Sequence, residues 1–154
     1  MANRMAGKSA VVTGASSGMG KAIALAYLNE GANVVAAARN MEALSALEKE
    51  AKEAGFGEDC ENAIRVCAES FGTCNVLSHN AGAADNFTPA AEMTDELWDR
   101  MISLNLTASM KITRAALQYF LKNNVSASIV MITSNAAFES ATGGTAYCAS
   151  KAGA

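Results

Sequence analysis

Thr13-Gly14-Ala15-Ser16-Ser17-Gly18-Met19-Gly20 follows the apolar run Ser9-Ala10-Val11-Val12 and precedes an alanine-rich segment, Lys21 to Leu28. The order reads as strand, glycine turn, helix. Such a turn brings backbone N–H groups and a helix N-terminus up to a phosphate, and glycines remove the Cβ atoms that would block the approach. Glycine clusters also serve plain turns, so the rest of the chain has to decide. A nucleoside-triphosphate loop would need Gly-Lys-Ser/Thr at a fixed distance from an earlier glycine. Here Gly20-Lys21 is followed by Ala22, and the residue five before Gly20 is Ala15. That class is excluded.

The chain has 154 residues, 51% hydrophobic and 18% charged, with a formal net charge of -3. This composition suits one globular domain, residues 1–154, with a substantial core. The mildly acidic balance gives no basic footprint for nucleic acid. No apolar run approaches the roughly 18 residues of a membrane span, and Met1 to Lys8 lacks the apolar core of a signal peptide. A cytoplasmic location is expected, without membrane or nucleic-acid partners. Cys60, Cys67 and Cys74 are spaced by sevens, too widely for paired zinc ligands, and His79 is the only histidine. The cysteines read as small apolar residues on helix faces in a reducing compartment, with no metal site.

Along the chain, Lys8 to Val12 reads as strand one, Gly18 to Glu30 as a helix, and Gly31 as its left-handed cap. Asn33 to Ala38 is a continuous apolar strand of the kind buried on both faces. A second helix is expected over Met41 to Ala54, ended by Gly55. Strand–helix alternation argues for a parallel α/β sheet, doubly wound with helices on both faces. A third strand is then due, but Gly55-Phe56-Gly57-Glu58 leads straight into another helical pattern, Asp59 to Ser70. Two helices on opposite faces of a sheet lie ~20 Å apart, and four residues reach at most ~14 Å. Strand three is therefore expected to be lacking, with residues missing near Gly57-Glu58.

Asn75 to His79 resumes as a strand and runs into Asn80-Ala81-Gly82. The longest helix opens at Thr94, an N-cap candidate followed by Asp95 and Glu96, which suit the positive end of a helix dipole. Its apolar stripe is Leu97, Met101, Leu104, Ala108, Ile112 and Ala115. Asn123-Asn124 ends it. Ser128 to Thr133 is a further strand of the buried type, Asn135 to Thr145 a loop, and a last helix begins near Ala146. Ligands of parallel sheets bind outside the carboxyl ends of the strands. Those ends deliver the glycine turn, Arg39, Asn80 to Gly82, and Ser134. Tyr147 and Lys151 follow as an i, i+4 pair on one helix face.

Taken together, these residues resemble the short-chain dehydrogenase/reductase family, in the single-domain branch that includes 3-oxoacyl-acyl-carrier-protein reductases and carbonyl and hydroxysteroid reductases. Thr13 to Gly20 fits the branch's T-G-x-x-x-G-x-G. His79-Asn80-Ala81-Gly82 fits its N-N-A-G, with His in place of the first Asn. Asn105 matches the family's helix asparagine, Ser134 its serine, and Tyr147-Cys148-Ala149-Ser150-Lys151 its Y-x-x-x-K. The resemblance implies a Rossmann-type fold whose third and C-terminal strands are not found in these 154 residues. It also implies an oxidoreductase that interconverts a ketone and a secondary alcohol, with a small-molecule carbonyl or alcohol as substrate.

What the resemblance implies about roles can be set against physical chemistry. Hydride transfer to a ketone leaves an alkoxide that needs a proton, and Tyr147 would supply it. An ordinary tyrosine, with pKa ≈ 10, is only ~0.1% ionised at neutral pH for the reverse direction, and a nearby ammonium favours the phenolate. Lys151 would provide that ammonium and bind the nicotinamide ribose. Ser134 would hold and polarise the carbonyl oxygen, and Asn105 would hold a water linking Lys151 to solvent. Gly14, Ser16, Ser17, Gly18, Met19, Gly20, Asn80, Ala81 and Gly82 would bind the cofactor. Asn135, Phe87, Phe138 and Thr142 are candidates for the substrate pocket. Read singly, His79 is structural and Met19 a core or wall residue.

Cofactor choice rests on the end of strand two. NAD-binding sheets place an acid there for the ribose 2′-hydroxyl. This chain reads Ala37-Ala38-Arg39-Asn40. With no acid to repel a 2′-phosphate and Arg39 to pair with it, NADP(H) is expected over NAD(H). Two other classes remain open. One is a sugar-nucleotide epimerase or dehydratase, whose relatives share Y-x-x-x-K but carry T-G-x-x-G-x-x-G. The other is a non-catalytic dinucleotide-binding protein. A polypeptide ending at Ala154 is expected to hold Tyr147 and Lys151 too loosely to turn over, because short helices are marginal in water. The resemblance further implies a homodimer or homotetramer formed through Thr94 to Lys122.

Overall fold

The computed structural model describes residues 3–38, 40, 54–57, 62–139 and 142–154, with only the backbone described at 54–57. The chain divides into two compact units, one of residues 1–80 and 112–131, the other of 81–111 and 132–154.

The first unit is built on a parallel sheet. Its strands are β1 (Ser9–Thr13), β2 (Asn33–Ala37), β3 (Ala54–Gly57), β4 (Val76–His79) and β5 (Ser128–Met131), in the order β3-β2-β1-β4-β5. Val11 lies opposite both Val35 and Leu77, which sets the register at the centre of the sheet. β1 is buried at every residue and β2 at all but Asn33. Both faces of these strands are covered, as their unbroken apolar runs require; β5, expected to be of the same kind, instead alternates exposed and half-buried residues at the edge of the sheet. On one face Val11, Val35 and Leu77 pack with Ile64 and Cys67 of helix α2 (Asn62–Phe71) and with Ile112, Ala116 and Phe120. On the other, Val12, Val34 and Ala36 pack with Ala24 of helix α1 (Gly18–Asn29). The expected doubly wound Rossmann-type sheet is therefore present.

Its third strand is present too, which corrects the sequence reading. Ala54 to Gly57 pairs in parallel with β2, Ala54 opposite Val34 and Gly57 opposite Ala37. Gly55 is thus a strand residue and not the end of a helix, and the inference of missing residues at Gly57-Glu58 loses its premise. A ladder is made by backbone groups, so a Gly-Phe-Gly composition does not prevent pairing. Of the helix expected over Met41 to Ala54, Ala54 is a strand residue; 41–53, the 58–61 connection and Arg39 lie outside the described residues.

Local signals elsewhere hold. Gly31 has φ +86°, and the N–H groups of Gly31 and Ala32 bond to the carbonyls of Leu28 and Tyr27. This is the left-handed cap that closes α1. Cys67 and Cys74 are buried free thiols in the core. The Cys67 thiol is pushed up by its hydrogen bond with Cys74 and by burial, which makes it an inert core residue.

The second unit contains helix α3 (Asp95–Met101), a π-helical segment (Ile102–Thr107), a short 3-10 turn (Asn135–Ala137) and helix α5 (Thr145–Gly153). α5 packs on the π-helical segment, on the 3-10 turn and on α3. Thr94 caps α3, accepting from the Leu97 N–H at 3.2 Å, with Asp95 and Glu96 in the first turn. Helix α4 (Ala108–Lys122) continues from the π-helical segment. The long helix anticipated from Thr94 onward is therefore α3, a wider π turn and α4 in succession. Its buried positions are Met101, Asn105, Ser109, Ile112, Ala116 and Phe120. Of the expected stripe only Met101 and Ile112 are fully buried; Leu97, Leu104, Ala108 and Ala115 are half-buried. The stripe is displaced because two buried positions, Asn105 and Ser109, are polar and hydrogen-bonded.

Candidate functional site

In the first unit the strand order reverses between β1 and β4, where ligands of open parallel sheets bind. The glycine turn leaves the end of β1, and Asn80 leaves the end of β4. Gly14 and Gly18 have φ of +67° and +52°, a backbone state that glycine adopts at least cost. Gly20 answers a different need. A Cβ there would collide with the Gly14 carbonyl oxygen and lie 2.7 Å from Asn80 Nδ2. Ser17 stands at the N-cap of α1 without a side-chain capping bond, and Ser17, Gly18 and Met19 are exposed. Met19, at 66% exposure, is not a core residue.

Thr13 ties the two strand ends together. Its hydroxyl lies 2.7 Å from His79 Nδ1 and accepts from the Asn80 N–H at 3.1 Å. His79 is thus a buried residue bonded within the sheet, as expected of a structural histidine. Asn80 Oδ1 is buried with no hydrogen-bond partner. A buried acceptor lacking a donor, beside a turn whose backbone a Cβ would crowd, fits the hydroxyl-rich end of a dinucleotide and its phosphates.

The second unit assembles a polar cluster around α5. Asn105, 1% exposed, sits in the π-helical segment. Its amide nitrogen donates to the Ala83 carbonyl at 2.9 Å and to Ser150 Oγ at 3.0 Å, and its oxygen accepts from the Ala83 N–H at 2.9 Å. Ser150 in turn donates to the Tyr147 carbonyl at 2.9 Å. The backbone oxygen of Asn105 accepts from Ser109 Oγ. This net ties the 81–83 loop to the helix that carries Tyr147 and Lys151.

Lys151 is 7% exposed. Its Nζ donates to the Ile132 carbonyl at 3.2 Å and lies 5.9 Å from the centre of the Tyr147 ring. Burial pushes its pKa down from the ordinary lysine value. A Cβ on Gly82 would come 3.2 Å from Lys151 Nζ and 3.1 Å from Asn105 Oδ1, so the glycine lets the loop lie against both. Tyr147 is half-buried with its ring against Gly143, where a Cβ would stand 2.5 Å from Cδ1.

Ser134, half-buried, opens the 3-10 turn, and its Oγ accepts from the Ala136 N–H at 3.2 Å. It stands two residues after the carbonyl that Lys151 holds. Asn135, Phe87, Phe138 and Thr142 are exposed. Sequence reading passed over Asp85. This carboxylate is 2% exposed, and it accepts from the N–H groups of Gly144 and Tyr147, each at 2.9 Å. The available signals were an acid in an alanine-rich loop and a helix start, Gly143-Gly144, without a capping side chain.

The first unit thus carries a strand-turn-helix with its glycines at a sheet switch point, and the second a buried lysine one helical turn from a tyrosine. The short chain dehydrogenase profile matches residues 8–154, and the chain belongs to that family. It is 37% identical over 158 residues to 3beta-hydroxysteroid dehydrogenase 2 of Eggerthella lenta, covering 96% of this chain and 61% of the relative. A solved short chain dehydrogenase from Mycobacterium smegmatis superposes with a TM-score of 0.88 at 32% identity, over 98% of this chain and 67% of the other. A structure of actinorhodin polyketide ketoreductase with NADPH gives 0.85 at 30% identity, over 95% and 60%. The chain therefore spans about three-fifths of the length of the curated relative named above.

Proposed function

We propose that this chain is the cofactor-binding and catalytic part of an NADP(H)-dependent oxidoreductase that interconverts a ketone and a secondary alcohol. The observation that carries the proposal is the buried Lys151 ammonium, held by the Ile132 carbonyl beside the Tyr147 ring. A lysine placed there without function would snorkel to water. Bound nicotinamide dinucleotide supplies or accepts the hydride. Gly14, Ser16, Ser17, Gly18, Met19 and Gly20 would hold its phosphates, and Asn80, Ala81 and Gly82 the sugar beyond. Lys151 would bind the nicotinamide ribose through its remaining donors. Tyr147 gives its phenolic proton to the nascent alkoxide in reduction and takes it back in oxidation, acting as general acid and base. Ser134 would hold the substrate oxygen and Asn135 a neighbouring part of the substrate. Asn105 fixes the loop and helix that present these groups.

The preference for NADP(H) over NAD(H) rests on Ala37-Ala38-Arg39-Asn40, where no acid opposes a 2′-phosphate, and is supported by the NADPH of the ketoreductase structure. Two further readings accompany it. Exposed Leu117 and Leu121 on α4 suit a homo-oligomeric contact. No helix among the described residues is long and apolar enough to cross a membrane, which accords with a cytoplasmic enzyme. The test is NADPH or NADH consumption by the whole protein over a panel of ketones, with Tyr147→Phe and Lys151→Met beside it. Loss of a general acid should cost roughly 100-fold or more. A Tyr147→Phe variant as fast as its parent would refute the reading.

A further inference from the structure

We infer that Asp85 is a positioning residue for Tyr147, holding the first turn of α5 by its backbone; this rests on the oxidoreductase reading above. A carboxylate that is 2% exposed is stable only when its oxygens are bonded. Both are. Oδ1 accepts from the Gly144 N–H and Oδ2 from the Tyr147 N–H, each at 2.9 Å. Gly144 is the N-cap of α5 and has no side chain to serve the open N–H groups of the first turn. Asp85 does from another loop what Ser, Asp or Asn does at an ordinary N-cap.

Gly144 is the complementary half of the arrangement. Its φ of −78° makes no conformational demand. A Cβ there would lie 2.5 Å from Asp85 Oδ2 and 2.5 Å from the Thr88 nitrogen. Glycine is required because the carboxylate and the 85–88 turn fill that space. The turn also reaches across: the Thr145 N–H donates to the Thr88 carbonyl at 3.1 Å, and the Thr88 N–H to the Asp85 carbonyl at 3.1 Å.

A local cap would have stabilised the helix equally well without fixing it to anything. Asp85 instead fixes the Tyr147 backbone to the loop continuing from Gly82 and Ala83. The start of that loop lies against Lys151 and is bonded to Asn105. The carboxylate therefore registers the proton-transfer group against the loop that contains Gly82 and Ala83. Misplacement by about 1 Å at such a group costs on the order of 100-fold in rate.

The test compares the whole protein with Asp85→Asn, which keeps shape and one acceptor but loses the other, using Tyr147→Phe as control. The expected result for Asp85→Asn is a kcat for ketone reduction at least about 10-fold lower, with the KM for NADPH unchanged. Adding an osmolyte that restores its melting temperature should not restore kcat. A kcat within twofold of the parent, or one that recovers with the melting temperature, overturns the inference and reduces Asp85 to a helix cap. Should Asp85→Asn fail to fold, amide exchange in the parent decides. The Tyr147 N–H is expected to be strongly protected, and exchange at the rate of an open first-turn amide overturns the inference. An inactive parent, or an active Tyr147→Phe, instead refutes the oxidoreductase reading.

Discussion

The Asn105 amide and the Ser150 hydroxyl meet at 3.0 Å in the interior of the second unit. Ser150 passes the connection to the Tyr147 carbonyl, and Asn105 returns it to both backbone groups of Ala83. One side chain thus holds the loop after Asn80 and the helix bearing the proposed proton donor. Asn105→Leu keeps most of the volume but leaves the Ala83 N–H and carbonyl without that partner. At ~1–3 kcal/mol for each of these two groups left unsatisfied, the variant should lose about 2–6 kcal/mol in urea unfolding. Ser150→Ala, which breaks fewer bonds, should lose less.

Lys151 should show itself in the pH dependence of stability. Its folded-state pKa is lowered by burial. Below that value both folded and unfolded chains carry the proton, and the burial cost is fully present. Between it and the ordinary lysine value of about 10.4, the unfolded chain binds more protons, so stability gains with rising pH. The difference in unfolding free energy between Lys151→Met and the parent should therefore shift in the parent's favour from neutral to alkaline pH. Parallel urea midpoints across that range would contradict the assignment.

Gly20 and Gly18 should respond differently to alanine. At Gly20 the added methyl meets the Gly14 backbone and Asn80, so the turn itself must move. NADPH affinity, read by fluorescence titration, should fall at least about 10-fold, or ~1.4 kcal/mol. At Gly18 the methyl meets nothing within 4 Å. Only the left-handed backbone is strained there, costing ~1–2 kcal/mol of stability, and affinity should change less.

Thr13→Val removes the hydroxyl that serves both His79 and Asn80 while preserving shape. Melting or urea curves should show a loss of about 1–3 kcal/mol, and Thr13→Ser should recover most of it. An unchanged midpoint for Thr13→Val would mean that the strand ends hold together without it.

Much of this could be read along the chain because its signals are local. β1, the glycine turn, α1 and its Gly31 cap follow from residues within a few positions of each other, as does the Thr94 cap of α3. The i, i+4 placement of Tyr147 and Lys151 follows from helix geometry alone. β3 did not declare itself. Its Ala-Gly-Phe-Gly composition resembles a turn, and only the neighbouring β2 backbone makes it a strand. The buried stripe of the long helix was misplaced for a related reason. Hydropathy marks Leu104 and Ala108 as interior, whereas Asn105 and Ser109 are buried because partners distant in sequence or one turn away satisfy them.

Residue order is enough to place the family: a glycine turn between strand and helix, then an asparagine, a serine and a tyrosine–lysine pair at set intervals, all matters of neighbouring residues or of position along the chain. The burial of Lys151 on the Ile132 carbonyl, the link from Ala83 through Asn105 to Ser150, and the hold of Asp85 on the start of α5 come from packing. Desolvation and hydrogen bonding depend on which groups meet when remote segments pack, and no spacing along the chain encodes that meeting.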